Sequence, residues 1–253
     1  MSLIKIFVTI IILALNTFAQ NFNPSDSLKY SYVNYHQQEV DSLKGQKYFV
    51  NFSFTYPEIF NKEIINDSVE HFVFHTTESP QNVSEYFAKI IKSYKDYLEK
   101  EADYISSYSE ERDVKIIFNQ DNIVSLRLIE YTYNGGIHGQ TTKYFKCFNI
   151  NESKQIKLSD LFSKDNYSRL SEIAEDEFYN QLSLSKTKDL KQQGFLFKDD
   201  KFKLNNNFYI DTVGLHFYYN TYEIRAYAYG PTDLLIPWSK IKHILKENVI
   251  KGI

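Results

Sequence analysis

The chain has 253 residues and a formal net charge of −3, from 29 Lys and Arg against 32 Asp and Glu. That balance argues against a general nucleic-acid binder, which needs a cationic face for phosphates. Cys147 is the single cysteine, so no intrachain disulfide forms and stability must come from an apolar core, which this length can supply.

Met1–Ala19 reads as a secretory signal. Lys5 gives the positive start, Ile6–Leu15 the apolar centre, and Thr17-Phe18-Ala19 a small-residue cleavage site before Gln20. The apolar run is short for a membrane span, and no other segment is long and apolar enough. No cysteine follows it to take a lipid anchor. The mature chain is expected to start near Gln20, secreted or periplasmic, without a membrane span. Residues 20–47 read as a leader or a first edge strand.

Tyr48–Tyr56 alternates apolar and polar positions as a strand does, with Pro57 ending it. Phe60, Ile64, Ser68 and Phe72, with Ile65, Val69 and Val73, lie on one helical stripe. A longer helix follows Pro80 and carries Val83, Tyr86, Phe87, Ile90, Ile91, Tyr94, Tyr97 and Leu98. Asp113–Asn119 and Ile123–Tyr133 read as paired strands turning at Gln120-Asp121-Asn122.

Asn134-Gly135-Gly136-Ile137-His138-Gly139 then separates Ile123–Tyr133 from another strand, Thr141–Ile150. An Asn-Gly step between two strands signals a hairpin, and this accounts for Asn134 and Gly135. Gly136 and Gly139 exceed what a tight turn needs and bracket His138 against bare backbone. Loops carry function more often than cores, but the simpler role for His138 is to bond its own loop.

Ser159-Asp160-Leu161-Phe162 reads as a short helical step. Tyr167, Leu170, Ile173, Ala174, Phe178 and Leu182 form a third amphipathic helix, and Lys186–Gln193 a charged connector. Phe208–Ile210 and Leu215–Tyr219 make a hairpin around Asp211–Gly214. Leu234–Ile236 is a strand, and Pro237 opens a terminal helix to about Lys246.

Several short motifs resemble known families. Tyr133–Gly139, then Leu158-x-Asp160-Leu161-Phe162, resembles the junction of two linked families of unknown function, numbered 4163 and 3298. Gly214-Leu215-His216-Phe217-Tyr218-Tyr219, Tyr222-Glu223-Ile224, Tyr227, Gly230 and Ile236-Pro237-Trp238 continue the likeness. Ile137 stands where alanine is usual, and Arg225-Ala226 replaces an Ala-Pro pair. These families are similar to the lysozyme-binding extracytoplasmic domain of the RsiV anti-sigma factor and to the accessory domain of the PdaC peptidoglycan deacetylase. The resemblance implies a 4163-like lobe over residues 48–149 and a 3298-like lobe over residues 150–247. It also implies a protein partner of the lysozyme-like muramidase type, or peptidoglycan.

Catalytic signatures are sparse. His71 and His75, four apart on an expected helix, make half of a zincin pair, but Phe72-Val73-Phe74 between them supplies no glutamate base. They read as solvated, and no metal is expected. No nucleophile elbow, phosphate loop or dinucleotide fingerprint occurs, so no cofactor is expected. Glu110-Glu111 and Asp199-Asp200 read as solvated loop carboxylates. Glu223, beside Tyr222, is a more informative acid, serving as a proton donor or, more simply, as an acceptor that fixes its loop. The aromatic fraction of 17% reads first as the compositional bias of an AT-rich genome and second as sugar-stacking surface.

The expected fold is α+β, with antiparallel sheets, amphipathic helices packed on one face and two linked lobes. The expected function is a binding module of the cell envelope. Asn134, Gly135, Gly136, His138, Gly139, Tyr222 and Glu223 are its candidate ligand-binding or loop-structuring residues. The competing reading is an envelope hydrolase with His138 and Glu223 as an acid–base pair.

Overall fold

Alternation in β2 (Gln46–Ile59) sets the first half of the molecule. In the computed structural model, which describes residues 28–76, 82–100 and 104–247, Tyr48, Val50, Phe52, Phe54 and Tyr56 all point into the core. The signal-like segment Met1–Ala19 lies outside the described residues. β1 (Tyr30–Leu43) pairs antiparallel with β2 along its whole length, from Tyr30 opposite Ile59 to Leu43 opposite Gln46. The turn is Lys44-Gly45, with φ of 51° and 82°, the left-handed pair that a tight hairpin requires.

Pro57 does not end the strand as expected. β2 runs on to Ile59, and Pro57 sits opposite Tyr32 of β1. The pairing of β2 with its other neighbour stops at Thr55, so the missing N–H of proline falls where that side carries no ladder.

Two helices follow. α1 (Glu63–Phe74) packs Ile65, Val69, Phe72 and Val73 inward, as the stripe required. Phe60, expected on the same stripe, lies before the helix start at Glu63, and both it and Ile64, in the first turn, are exposed. Asn66 fixes the junction: its side chain accepts from Ile59 N and donates to Ile59 O, both at 2.8 Å. In α2 (Val83–Lys100), Phe87 meets the rings of Phe52 at 4.9 Å and Phe54 at 5.1 Å. The two helices form the crossover that makes β3 (Tyr108–Gln120) parallel to β2, a departure from all-antiparallel sheets.

β3 begins at Tyr108, well before the expected Asp113. β4 (Ile123–Tyr133) follows a turn in which Asp121 and Asn122 both have positive φ. β5 (Gln140–Asn149) then pairs antiparallel with a short strand absent from the sequence reading, β6 (Lys154–Ile156). The strand order is β1-β2-β3-β4-β5-β6. Contacts divide the described chain into one unit of residues 28–115 and 128–141 and another of residues 116–127 and 142–247.

The second unit has its own core. A four-residue α3 (Leu158–Leu161) leads into α4 (Lys164–Gln181), capped by Ser163, whose hydroxyl accepts from Asn166 N. Phe178 of α4 lies 5.0 Å from both Phe195 and Phe202. A separate sheet of order β7-β8-β9 comprises Phe208–Ile210, Gly214–Tyr219 and Thr232–Pro237. Leu215, Phe217 and Ile236 are fully buried. The terminal helix is shorter than expected: α5 (Trp238–Ile241) is followed by a 3-10 turn, and Pro237 is its N-cap residue. Cys147 is buried in β5, 3.3 Å from Ser125 Oγ, and burial pushes its thiol up to about 11. It is packed as a small apolar residue. The class is α+β, as the sequence indicates.

Candidate functional site

The glycine loop belongs to the first unit. Gly135 and Gly136 have φ of 92° and 109°, which only glycine adopts without strain. A side chain at Gly135 would also lie 2.7 Å from Ser106 Cβ. Gly139 is there for a different reason: a Cβ would come 2.4 Å from the Tyr131 ring. Ser106 Oγ donates to Asn134 O at 3.5 Å and Tyr133 OH to Gly136 O at 3.2 Å, so the loop is tied to neighbouring elements. His138 is exposed, its Nδ1 3.0 Å from Gly139 O. It bonds the loop that carries it.

Tyr222 and Glu223 lie in the second unit, after β8. Glu223 Oε2 accepts from Asn220 N at 2.7 Å, while Glu223 N donates to Asn220 O at 3.0 Å. The side-chain contact is one half of a capping box, and the backbone bond closes the turn. Oε1 accepts from Asn205 Nδ2 at 2.8 Å. Both carboxylate oxygens are thus engaged in shaping the loop. Tyr222 holds a left-handed φ of 69° and stands exposed, its ring 5.4 Å from Tyr227. Tyr222, Tyr227 and Tyr229 are 60%, 53% and 62% exposed, which makes one short loop a tyrosine-rich surface. Arg225 braces it from behind, 5.6 Å from the Tyr229 ring and 5.8 Å from that of Phe195. His138 and Glu223 therefore sit in different units, each with partners of its own.

Polar clusters appear that no sequence pattern announced. Glu110, expected in a solvated loop, is a buried β3 residue. It pairs with buried Arg112 and accepts from Tyr108 OH at 2.8 Å. Arg112 also donates to Val73 O, and its Nε stands 3.2 Å from Glu130 Oε2. His75 completes the group, and it is not a helical partner of His71: it is the left-handed cap of α1, with Nε2 2.5 Å from Glu130. Burial opposes the charge on Glu130, but the His75 hydrogen bond and the Arg112 charge hold its carboxyl below the usual range. Arg112 lies over the Phe54 ring at 4.8 Å, so the network joins the aromatic core.

In the second unit His216 lies between two aspartates, Nε2 3.1 Å from Asp211 and Nδ1 3.1 Å from Asp233. Tyr209 stacks on it at 4.3 Å and donates to Asp233 at 2.7 Å. Each residue comes from a different strand or from the β7–β8 turn, so the cluster fixes the small sheet. Among the described residues no group of three or more His, Cys, Asp or Glu is placed to hold a metal.

An open cleft of about 740 Å³ lies entirely in the second unit. Its lining includes the apolar Phe162, Phe208 and Tyr167 and the cationic Lys157, Lys164 and Lys246. None of its lining residues is Asp or Glu. The positions come from separate parts of the chain, which explains why no single motif announces the cleft.

Residues 43–141 match the family model described as deacetylase PdaC. The peptidoglycan-N-acetylmuramic acid deacetylase PdaC of Bacillus subtilis (strain 168) is 35% identical over 142 residues, covering 54% of this chain. The match spans only 29% of that enzyme's length. Crystal structures of DUF3298 family proteins share the fold. One from Bacteroides fragilis NCTC 9343 has a TM-score of 0.70 at 24% identity, covering 88% of this chain and 96% of its own. One from Pseudomonas aeruginosa PAO1 has a TM-score of 0.65 at 18% identity, covering 90% and 99%. Over residues 159–239 the chain matches the model of that family, a protein family of unknown function, so its two matched segments are similar to the PdaC family and to DUF3298 respectively.

Proposed function

We propose that this protein is a non-catalytic binding module of the cell envelope, secreted or periplasmic, and that its target is peptidoglycan. The observation that carries this reading is the exposed tyrosine loop, Tyr222 to Tyr229, fixed from beneath by Glu223 and Arg225. Rigid aromatic side chains on a braced loop gain contact area at little entropic cost, which suits recognition. The similarity to a peptidoglycan deacetylase over the first segment supports the envelope setting. The engagement of both Glu223 oxygens within the loop, and of His138 with its own backbone, supports binding over turnover. No helix among the described residues is long and apolar enough to cross a membrane.

The test is a pull-down of the purified chain with sacculi and, separately, with a lysozyme-type muramidase. Sacculi are expected to retain the protein. Tyr222→Ala and Tyr227→Ala are each expected to weaken retention by about tenfold, the cost of truncating an aromatic anchor. Capture by the muramidase with no retention on sacculi moves the target to a protein. Retention on neither rejects the reading.

A further inference from the structure

We infer that the open cleft of the second unit is a site for a carboxylate-bearing saccharide: an N-acetylated amino sugar whose ether-linked lactyl group carries, through an amide bond, an acidic peptide. This rests on the reading above and names the part of the polymer that is recognised.

The charge distribution is the first support. The whole chain has more acids than bases, yet the cleft is lined by Lys157, Lys164 and Lys246 and by no acid. Lys157 and Lys164 are exposed and form no ion pair among the described residues. Lys246 is held in place, its Nζ donating to Ser159 O at 2.7 Å. Asp160, between Lys157 and Lys164 in the chain, is not among the lining residues: it accepts from Lys154 Nζ and Lys157 N, both at 2.8 Å. It does not line the cleft, and its ion pair is with Lys154, while the Lys157 charge also helps hold its carboxyl down. Lysines are hydrated point charges that accept an anion in several geometries, which suits a mobile carboxylate better than a planar fork would.

The apolar wall is the second support. Phe162 and Phe208 form a buried floor, and Tyr167 of α4 stands at the rim, 38% exposed. The C–H face of a sugar ring stacks on such a wall. Ser159, Ser163 and Asn206 offer polar atoms for hydroxyl and acetamido groups. A bare phosphate needs no apolar wall, and a neutral glycan needs no lysines. The volume of about 740 Å³ falls in the range of small-ligand sites.

The experiment is titration calorimetry at low and moderate salt with a soluble disaccharide muramyl peptide, a neutral chitooligosaccharide of equal ring number, and inorganic pyrophosphate. The muramyl peptide is expected to bind at least about tenfold tighter than the neutral sugar, and more weakly as salt rises. The double variant Lys157→Gln/Lys164→Gln is expected to remove that preference, by about tenfold or more, with an unchanged Tm. Equal affinity for the two sugars, an unaffected variant, or competition by pyrophosphate as strong as by the muramyl peptide would overturn the assignment. Retention of this variant on sacculi at the wild-type level refutes the cleft while leaving the envelope-binding reading intact. Loss of wild-type retention refutes both.

Discussion

Gly135 and Gly139 are both glycines of one loop, yet they are glycine for different reasons, and substitution separates them. Gly135 combines φ of 92° with a Cβ position 2.7 Å from Ser106 Cβ. Gly139 has ordinary φ and meets only the far end of Tyr131, which can swing aside. Gly135→Val is expected to cost about 1–3 kcal/mol and lower Tm by about 2–10 °C. Gly139→Ala is expected to cost less, in the same melting assay; the opposite order would show that the Tyr131 contact, not the backbone, constrains the loop. The glycine cluster was visible in the sequence because glycine is rare here. Glu110 was not, because Glu110-Glu111-Arg112 reads as a polar stretch unless the burial of its ion pair is known. Removing Arg112 leaves Glu110 buried and uncompensated, so Arg112→Met is expected to cost about 3–5 kcal/mol. The depressed carboxyl of Glu130 adds a pH signature. A group with a lowered folded pKa stabilises above its unfolded value, about 4.3, and loses that contribution as pH falls through the folded value. Tm measured from pH 5 to pH 2 should therefore fall less steeply in Glu130→Gln than in wild type; parallel curves would remove Glu130 from the acid response.

Among the elements, β5 shows what a pattern cannot carry. The strand itself was legible, but its bonding is partly supplied by two asparagine side chains from far along the chain. Asn207 accepts from Phe145 N at 2.9 Å and donates to Lys143 O at 2.9 Å. Asn220 accepts from Lys143 N at 2.7 Å and donates to the same carbonyl at 3.0 Å. Each amide imitates a peptide group of a neighbouring strand. Asn207→Leu is expected to remove the acceptor of Phe145 N and one of the two donors to Lys143 O, at about 1–3 kcal/mol in denaturant unfolding. Asn206→Ala, one residue away and exposed, should stay within about 0.5 kcal/mol. Equal effects would mean that water replaces the Asn207 amide freely. The long amphipathic helices were readable because apolar spacing and burial coincide, as in α2 and α4. β6 is three residues long, too short to show any period. The parallel pairing of β2 with β3 depends on what the intervening helices cover, and no local pattern encodes it.

For the whole molecule, the question is whether the proposed binding surface could also turn a ligand over. The sequence singled out His138 and Glu223, and of its other candidates Tyr222 lies on the exposed loop. It did not single out the lysine-lined cleft, whose positions are spread between Gln155 and Lys246. General acid–base help is worth roughly 10²–10⁴-fold in rate, so a working pair is easily detected. Glu223 instead spends both oxygens on Asn220 N and Asn205 Nδ2. A carboxylate so engaged keeps its loop in shape. Purified protein incubated with sacculi and chitooligosaccharides is therefore expected to release neither reducing ends nor acetate. Glu223→Gln, which weakens the charged contact to Asn220 N, is expected to lower Tm and to weaken sacculus retention through the tyrosine loop it supports. His138→Ala should leave retention unchanged. Measurable turnover that vanishes in both variants while each remains folded would replace the binding module with a hydrolase. Turnover that survives both would place an enzyme elsewhere in the chain.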